Sequence, residues 1–131
     1  RALVMHGEGG YDEAVLHGKV RVAELREGAV ARYDLAPSDF GLPEGAPESL
    51  DGGGPEENAR RLADLLAGRG PRQLAEAVAA NAALALRVAG AAEDLREGAG
   101  EALEALGNGR VGRYVKELLE ETGEVRRAQA S

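Results

Sequence analysis

The sequence predicts an α/β chain, a short β-rich segment followed by about four helices packed on it. Three observations predict this. Apolar residues alternate with polar ones between residues 19 and 35, the period of a half-buried strand. Beyond residue 54 the apolar spacing changes to three and four, in four segments divided by Gly-bearing breaks. Between the two regimes, residues 43–54 carry prolines and several glycines, a loop crossing the surface.

Leu3 to His6 is the first strand. Leu3-Val4-Met5 is apolar at every position, which reads as a central strand covered on both faces. Ala14 to Leu16 is a candidate second strand. Lys19 to Leu25 alternates, with Val20, Val22 and Leu25 set against charged neighbours; Arg26-Glu27-Gly28 supplies a turn, and Val30 to Leu35 returns as a hairpin partner at the sheet edge. Residues 36–43 form a turn in which Phe40, the only Phe, anchors the loop to the core. Pro55, followed by Glu56 and Glu57, opens a first helix that Gly68 stops, with Ala59, Leu62 and Leu66 on one face. The second helix, Arg72 to Ala89, has Leu74, Val78, Ala82 and Leu86 as its stripe and alanines on most other sides, so it is buried. Asn81 lies within it, and a buried amide must find partners; it reads as a hydrogen bond tying this helix to a loop end. A third helix spans 92–106, where Gly98 and Gly100 point to close packing. A fourth, Arg110 to Thr122, uses Val111, Tyr114, Val115, Leu118 and Leu119; Gly123 caps it, and residues 124–131 are read as a frayed tail.

At 131 residues the chain is one domain at most, divided into a β-rich part over 1–42, a helical part over 55–122 and a tail over 123–131. Aromatics are 3% of residues against 44% hydrophobic, so the core is Leu, Val and Ala. With no Cys there is neither a disulfide framework nor a thiolate metal site. A net charge of −7 argues against nucleic acid or an anionic membrane surface as partner. No apolar run approaches the roughly 20 residues of a membrane span, and no signal peptide is legible, so a cytoplasmic location is expected.

One stretch carries chemistry. The first strand ends at His6-Gly7, a glycine turn runs to Gly10, and two adjacent carboxylates, Asp12 and Glu13, follow. Ligands in α/β proteins sit beyond the carboxyl ends of strands, and Mg²⁺ takes one or two carboxylates plus substrate phosphates. Such a dipeptide is otherwise a solvated turn or a cap. No other constellation competes. His6 and His17, the only histidines, read as a satisfied structural residue and an exposed turn residue. The Gly52-Gly53-Gly54 run lacks the Lys and Ser/Thr of a phosphate loop and faces Glu56 and Glu57, so it reads as a capping loop. Asp39-Phe40-Gly41 has none of the kinase motifs before it. No catalytic residue is assigned.

The string His6-Gly7-x-Gly9-Gly10-x-Asp12-Glu13 is followed in order by Asp39-Phe40-Gly41, Gly52-Gly53-Gly54-Pro55-Glu56-Glu57-Asn58-Ala59 and Asn81. Together they resemble the C-terminal part of anthranilate phosphoribosyltransferase, in the nucleoside phosphorylase/phosphoribosyltransferase family, from about Ala2 to about Leu119. The resemblance implies the C-terminal part of a phosphoribosyltransferase α/β domain. It implies transfer of phosphoribose from phosphoribosyl pyrophosphate (PRPP) to anthranilate in tryptophan biosynthesis, with Mg²⁺ held by Asp12 and Glu13. The implied partners are the two substrates and an absent N-terminal portion; the helices of the family's small domain and dimer surface do not occur here, and a second copy of the chain is expected instead at the exposed edge of the first strand. The family's glycine-rich PRPP loop, its lysine-histidine-glycine-asparagine motif and its anthranilate-binding arginine do not occur in these 131 residues. The chain is therefore expected to be a fragment, inactive alone. The competing readings are a non-catalytic module self-associating through the exposed edge of its first strand, and part of a pyrimidine nucleoside phosphorylase-like enzyme.

Overall fold

The computed structural model describes residues 1–47 and 51–129. Strands β1 (Ala2–Gly7), β2 (Val20–Arg26) and β3 (Ala29–Leu35) form an antiparallel sheet in the order β1-β2-β3. The β2–β3 turn is the two-residue link Glu27-Gly28, with φ of 51° and 80°. Both residues are left-handed, the geometry that matches the twist of paired strands and that glycine adopts without strain. Met5, Val22 and Tyr33 stand opposite one another across the three strands, as do Gly7, Val20 and Leu35. These rows form the inward face.

Two expectations for the sheet are corrected. β1 is not covered on both faces within this chain: it lies at the sheet edge, Leu3 and Met5 pack partly on the core, and Val4 is 70% exposed. A uniformly apolar strand hides which of its faces is the inner one. On β2 the third inward position belongs to Glu24, 5% exposed, whereas Leu25 faces outward. Period two runs through 20, 22 and 24 without regard to charge.

The helices are α1 (Pro55–Leu66), α2 (Arg72–Ala89), α3 (Leu95–Gly107) and α4 (Arg110–Gln129), with a 3₁₀ turn at Pro37–Phe40. α2 lies against the inner face of the sheet. Its Ala77, Ala79, Ala80, Ala83 and Leu84 join Val20, Val22, Leu35 and Phe40 in one buried cluster. Small side chains let α2 approach both the sheet and α3. A Cβ on Gly98 of α3 would stand 3.2 Å from Ala83 Cα, which explains that glycine; Gly100 faces open space, so the same explanation does not extend to it. Phe40 is 1% exposed and seals the 3₁₀ turn onto the core, as expected of the single Phe.

Four helix details differ from expectation. α2 turns Ala77, Ala80, Ala83 and Leu84 to the core rather than the Leu74–Val78–Ala82–Leu86 stripe, of which Val78 is exposed and the rest half-buried, because its small alanines allow the closest approach to sheet and α3. α3 begins at Leu95 because the Asp94 carboxylate accepts from Arg96 N–H at 2.7 Å and caps it there. α1 buries Leu65 rather than the Ala59–Leu62–Leu66 stripe, because only its C-terminal turn reaches the body. α4 continues past Gly123 to Gln129, so residues 123–129 are helical rather than a tail; one interior glycine costs about 1 kcal/mol, too little to stop a helix by itself. On α4, Tyr114, Leu118 and Leu119 are exposed, while Val111 and Val115 are half-buried. No helix among the described residues is long and apolar enough to cross a membrane.

Candidate metal-binding loop

The segment from Gly7 to Lys19 links β1 to β2 and folds back over the end of β1. Gly7 N–H donates to Tyr11 C=O at 2.8 Å, and Gly10 N–H donates to Gly7 C=O at 3.2 Å. The base of the loop is closed by Glu8. Its N–H donates to Lys19 C=O, and its carboxylate accepts from Lys19 N–H, both at 2.9 Å. The chain passes so close above Gly7 that a Cβ there would lie 2.5 Å from Glu13 O and 3.1 Å from Val15 Cγ1. Only glycine permits that approach.

Asp12 and Glu13 occupy the outer bend of this loop, both exposed. Among the described residues neither side chain has a hydrogen-bond or ion-pair partner. Immediately after them the chain turns inward, and Ala14, Val15 and Leu16 are all buried. This run is not the strand its apolar character predicted. Its backbone groups are satisfied elsewhere: Ala14 by Asn81, and Leu16 C=O by Gly45 N–H at 2.7 Å. Asn81 Oδ1 accepts from Ala14 N–H at 2.9 Å. Its Nδ2 donates to Ala14 C=O at 3.0 Å and to Ala77 C=O at 2.9 Å. Asn81 is half-buried rather than buried, and it ties its helix to a loop end as expected. Beside the tie lies a slot of about 210 Å³ lined by Glu13, Leu74, Ala77 and Val78.

His6 is not the satisfied structural residue that was expected, since among the described residues its ring has no hydrogen-bond or ion-pair partner. His6 is exposed on the outer face of the sheet, opposite Arg21, at a polar cavity of about 360 Å³ that also includes Glu8, Lys19 and Asp34. His17 is half-buried rather than exposed, because its ring sits edge-on to Tyr11 with centroids 5.3 Å apart. Among the described residues no three His, Asp or Glu side chains converge as a metal cluster. The Asp39 carboxylate accepts from Ala36 N–H at 2.7 Å and stabilises the 3₁₀ turn. The Gly53 N–H is taken by Asn58 Oδ1 at 2.9 Å, and Asn58 Nδ2 returns a bond to Gly53 C=O. That amide is therefore not presented to a phosphate, in keeping with a capping loop. An apolar groove of about 750 Å³ between α1 and α4 includes no residue of the β1–β2 loop.

Sequence reasoning missed one cluster. The Glu24 carboxylate accepts from Tyr33 Oη at 2.7 Å, from two Arg87 nitrogens at 3.3 Å and from Arg1 at 3.5 Å. The Tyr33 hydroxyl, then Arg87 and Arg1, hold the Glu24 carboxyl below its ordinary value against the opposing effect of burial. Burial first, and then Glu24, push Tyr33 up. Glu93 extends the cluster, pairing with Arg1 at 3.0 Å and Arg26 at 3.2 Å. The signal in the sequence was Glu24 sitting in phase with Val20 and Val22.

The model of the glycosyl transferase family, a/b domain, matches residues 1–111. Anthranilate phosphoribosyltransferase of Erwinia tasmaniensis is 49% identical over 120 residues, 92% of this chain and 36% of that protein. The crystal structure of anthranilate phosphoribosyltransferase from Thermus thermophilus superposes with a TM-score of 0.80 at 42% identity, over 89% of this chain and 34% of that one. The Saccharomyces cerevisiae enzyme in complex with PRPP and Mg gives 0.80 at 25% identity, over 93% and 35%. The chain spans about a third of the length of these relatives. It belongs to the glycosyl transferase family, through the family's a/b domain.

Proposed function

We propose that this chain is the C-terminal portion of an anthranilate phosphoribosyltransferase, one partial α/β domain that works only with an upstream portion. In that reading Asp12 and Glu13 hold Mg²⁺ against PRPP. The observation that carries it is the loop itself. Two adjacent carboxylates without a cationic partner among the described residues stand on a segment fixed at both ends, in a chain similar to an enzyme solved with PRPP and Mg. The donor set fits the ion. Hard carboxylate oxygens suit Mg²⁺, and two of them leave most of its coordination sphere to water and substrate phosphates.

When bound, the ion supplies neutralisation of the negative charge that grows on departing pyrophosphate. The chain's own part is to present the two carboxylates at a set place beyond the end of β1. In the overall transfer, the bond between the ribose anomeric carbon and pyrophosphate oxygen breaks. The anthranilate nitrogen bonds to that carbon and gives up a proton. The sugar carries oxocarbenium character in between, as in other glycosyl transfers. Orienting the amine belongs to the upstream portion. A cytoplasmic setting is part of the same proposal, resting on the likeness to biosynthetic enzymes.

Assay of anthranilate and PRPP consumption tests it. The chain alone is expected to be inactive, and the upstream portion of a relative supplied in trans is expected to restore Mg²⁺-dependent turnover. Asp12→Ala with Glu13→Ala should lower the restored rate by about a hundredfold or more, as losing several kcal/mol of charge stabilisation requires. Turnover by the chain alone, or an undiminished rate in the double variant, contradicts the proposal.

Self-association is a second reading, favoured by β1, which pairs along one edge only among the described strands. An unpaired edge is a template for another strand, so light scattering is expected to show a dimer. A strictly monomeric chain removes this reading and leaves the enzymatic one intact.

A further inference from the structure

We propose that Asn81 is the positioning residue of the Asp12–Glu13 loop, setting the carboxylates from across the core; the inference rests on the metal-binding reading above. Asn81 lies 67 residues away from Ala14 in sequence, yet it captures both backbone groups of that residue. The Ala14 N–H belongs to the peptide that joins Glu13 to Ala14. Fixing it fixes the last backbone torsion of Glu13, and through it the direction in which the Glu13 side chain leaves the loop. The third bond, to Ala77 C=O one turn back on the same helix, uses the remaining amide hydrogen. With Oδ1 and both Nδ2 hydrogens engaged, the amide has one orientation. Its platform is rigid, because α2 buries Ala77, Ala79, Ala80, Ala83 and Leu84 around it.

The other side of the loop is set without a side chain. The Gly7 amide holds Tyr11 C=O, and the bare Gly7 Cα lets Glu13 C=O settle against β1. Asp12 and Glu13 therefore span a short bridge with a backbone pier at Tyr11 and an amide pier at Ala14. Partners of this kind, one step removed from the ligands, typically change metal affinity 10–100-fold when lost.

The test uses the full chain in the presence of inorganic pyrophosphate, with Mn²⁺ as the probe. Paramagnetic broadening of the residue 11–15 amides gives its dissociation constant, and native-state hydrogen exchange reports the Ala14 amide. Asn81→Leu removes every polar atom at similar volume; Asn81→Ala removes them without the bulk and covers the case in which the first variant does not fold. Leu65→Ala, at a buried position of α1 outside the core cluster that holds α2, is the control for a general loss of stability. The expected result is Mn²⁺ affinity at least about tenfold weaker in either Asn81 variant, with Ala14 exchange at least about tenfold faster in Asn81→Leu. In the control the affinity stays unchanged. Unchanged Mn²⁺ affinity in a folded Asn81 variant, with broadening still centred on Asp12 and Glu13, overturns the positioning role and leaves the metal site standing. A wild-type titration without broadening at residues 11–15 removes the metal site, and this inference with it.

Discussion

Glu24 is an acidic side chain at a position that period two assigns to the core, and its partners determine how it responds to pH. Its carboxyl titrates below the ordinary glutamate value of about 4.3, so the folded state binds that proton less tightly than the unfolded chain does. The resulting stability is present above that value and is lost as pH falls through the lowered one. Tyr33 has the opposite sign. Its raised value gives stability that is complete below about pH 10 and lost as pH rises through the higher, folded-state value. Removing the carboxylate leaves Arg87 and Arg1 without their shared acceptor, so Glu24→Ala is expected to cost about 2 kcal/mol at pH 7. Urea unfolding of both proteins checks this, and the gap should narrow below about pH 4. Phe40→Ala, at 1% exposure, should cost about 3–5 kcal/mol by the same measurement. Phe40 was legible in the sequence as the only Phe, placed in a turn. Glu24 was not, because a charged side chain in a strand ordinarily faces water, and its three cationic or hydroxyl partners, Arg1, Tyr33 and Arg87, are united by no local window.

At the scale of elements, legibility followed the strength of local signals. α2 matches its predicted bounds, since an uninterrupted Ala- and Leu-rich run ends at Gly90, which takes the left-handed conformation of a C-cap. The β2–β3 hairpin was equally clear from its alternation and Glu-Gly turn. The 14–16 run misled because an apolar triplet fits a strand or a buried coil equally well; what decided it was a side-chain amide from another element. The two glycines of α3 separate here as well. A side chain at Gly98 meets α2, so Gly98→Val is expected to destabilise by about 1–3 kcal/mol. Gly100 meets nothing within 4 Å, so Gly100→Ala is expected to stabilise by about 1 kcal/mol through helix propensity alone. Thermal melts of the two variants should move in opposite directions, and a common direction would contradict the packing described here.

For the molecule as a whole, Val4 on β1 and Tyr114, Leu118 and Leu119 on α4 are among the large apolar residues left exposed. The chain spans about a third of the length of its relatives, and the site proposed on it is correspondingly partial, two oxygen donors on a fixed loop. Their place was readable because strand end, glycine turn and acidic pair lie within eight consecutive residues. What fixes that place was readable only as an amide in need of partners, since Asn81 meets Ala14 through folding. The central claim is that Asp12 and Glu13 grip magnesium against a diphosphate. Its most direct test is calorimetric titration of Mg²⁺ with inorganic pyrophosphate into the chain combined with the upstream portion of a relative. Saturable heat that disappears in the Asp12→Ala, Glu13→Ala protein is the predicted result; a flat wild-type trace, or the same heat in the variant, would contradict it.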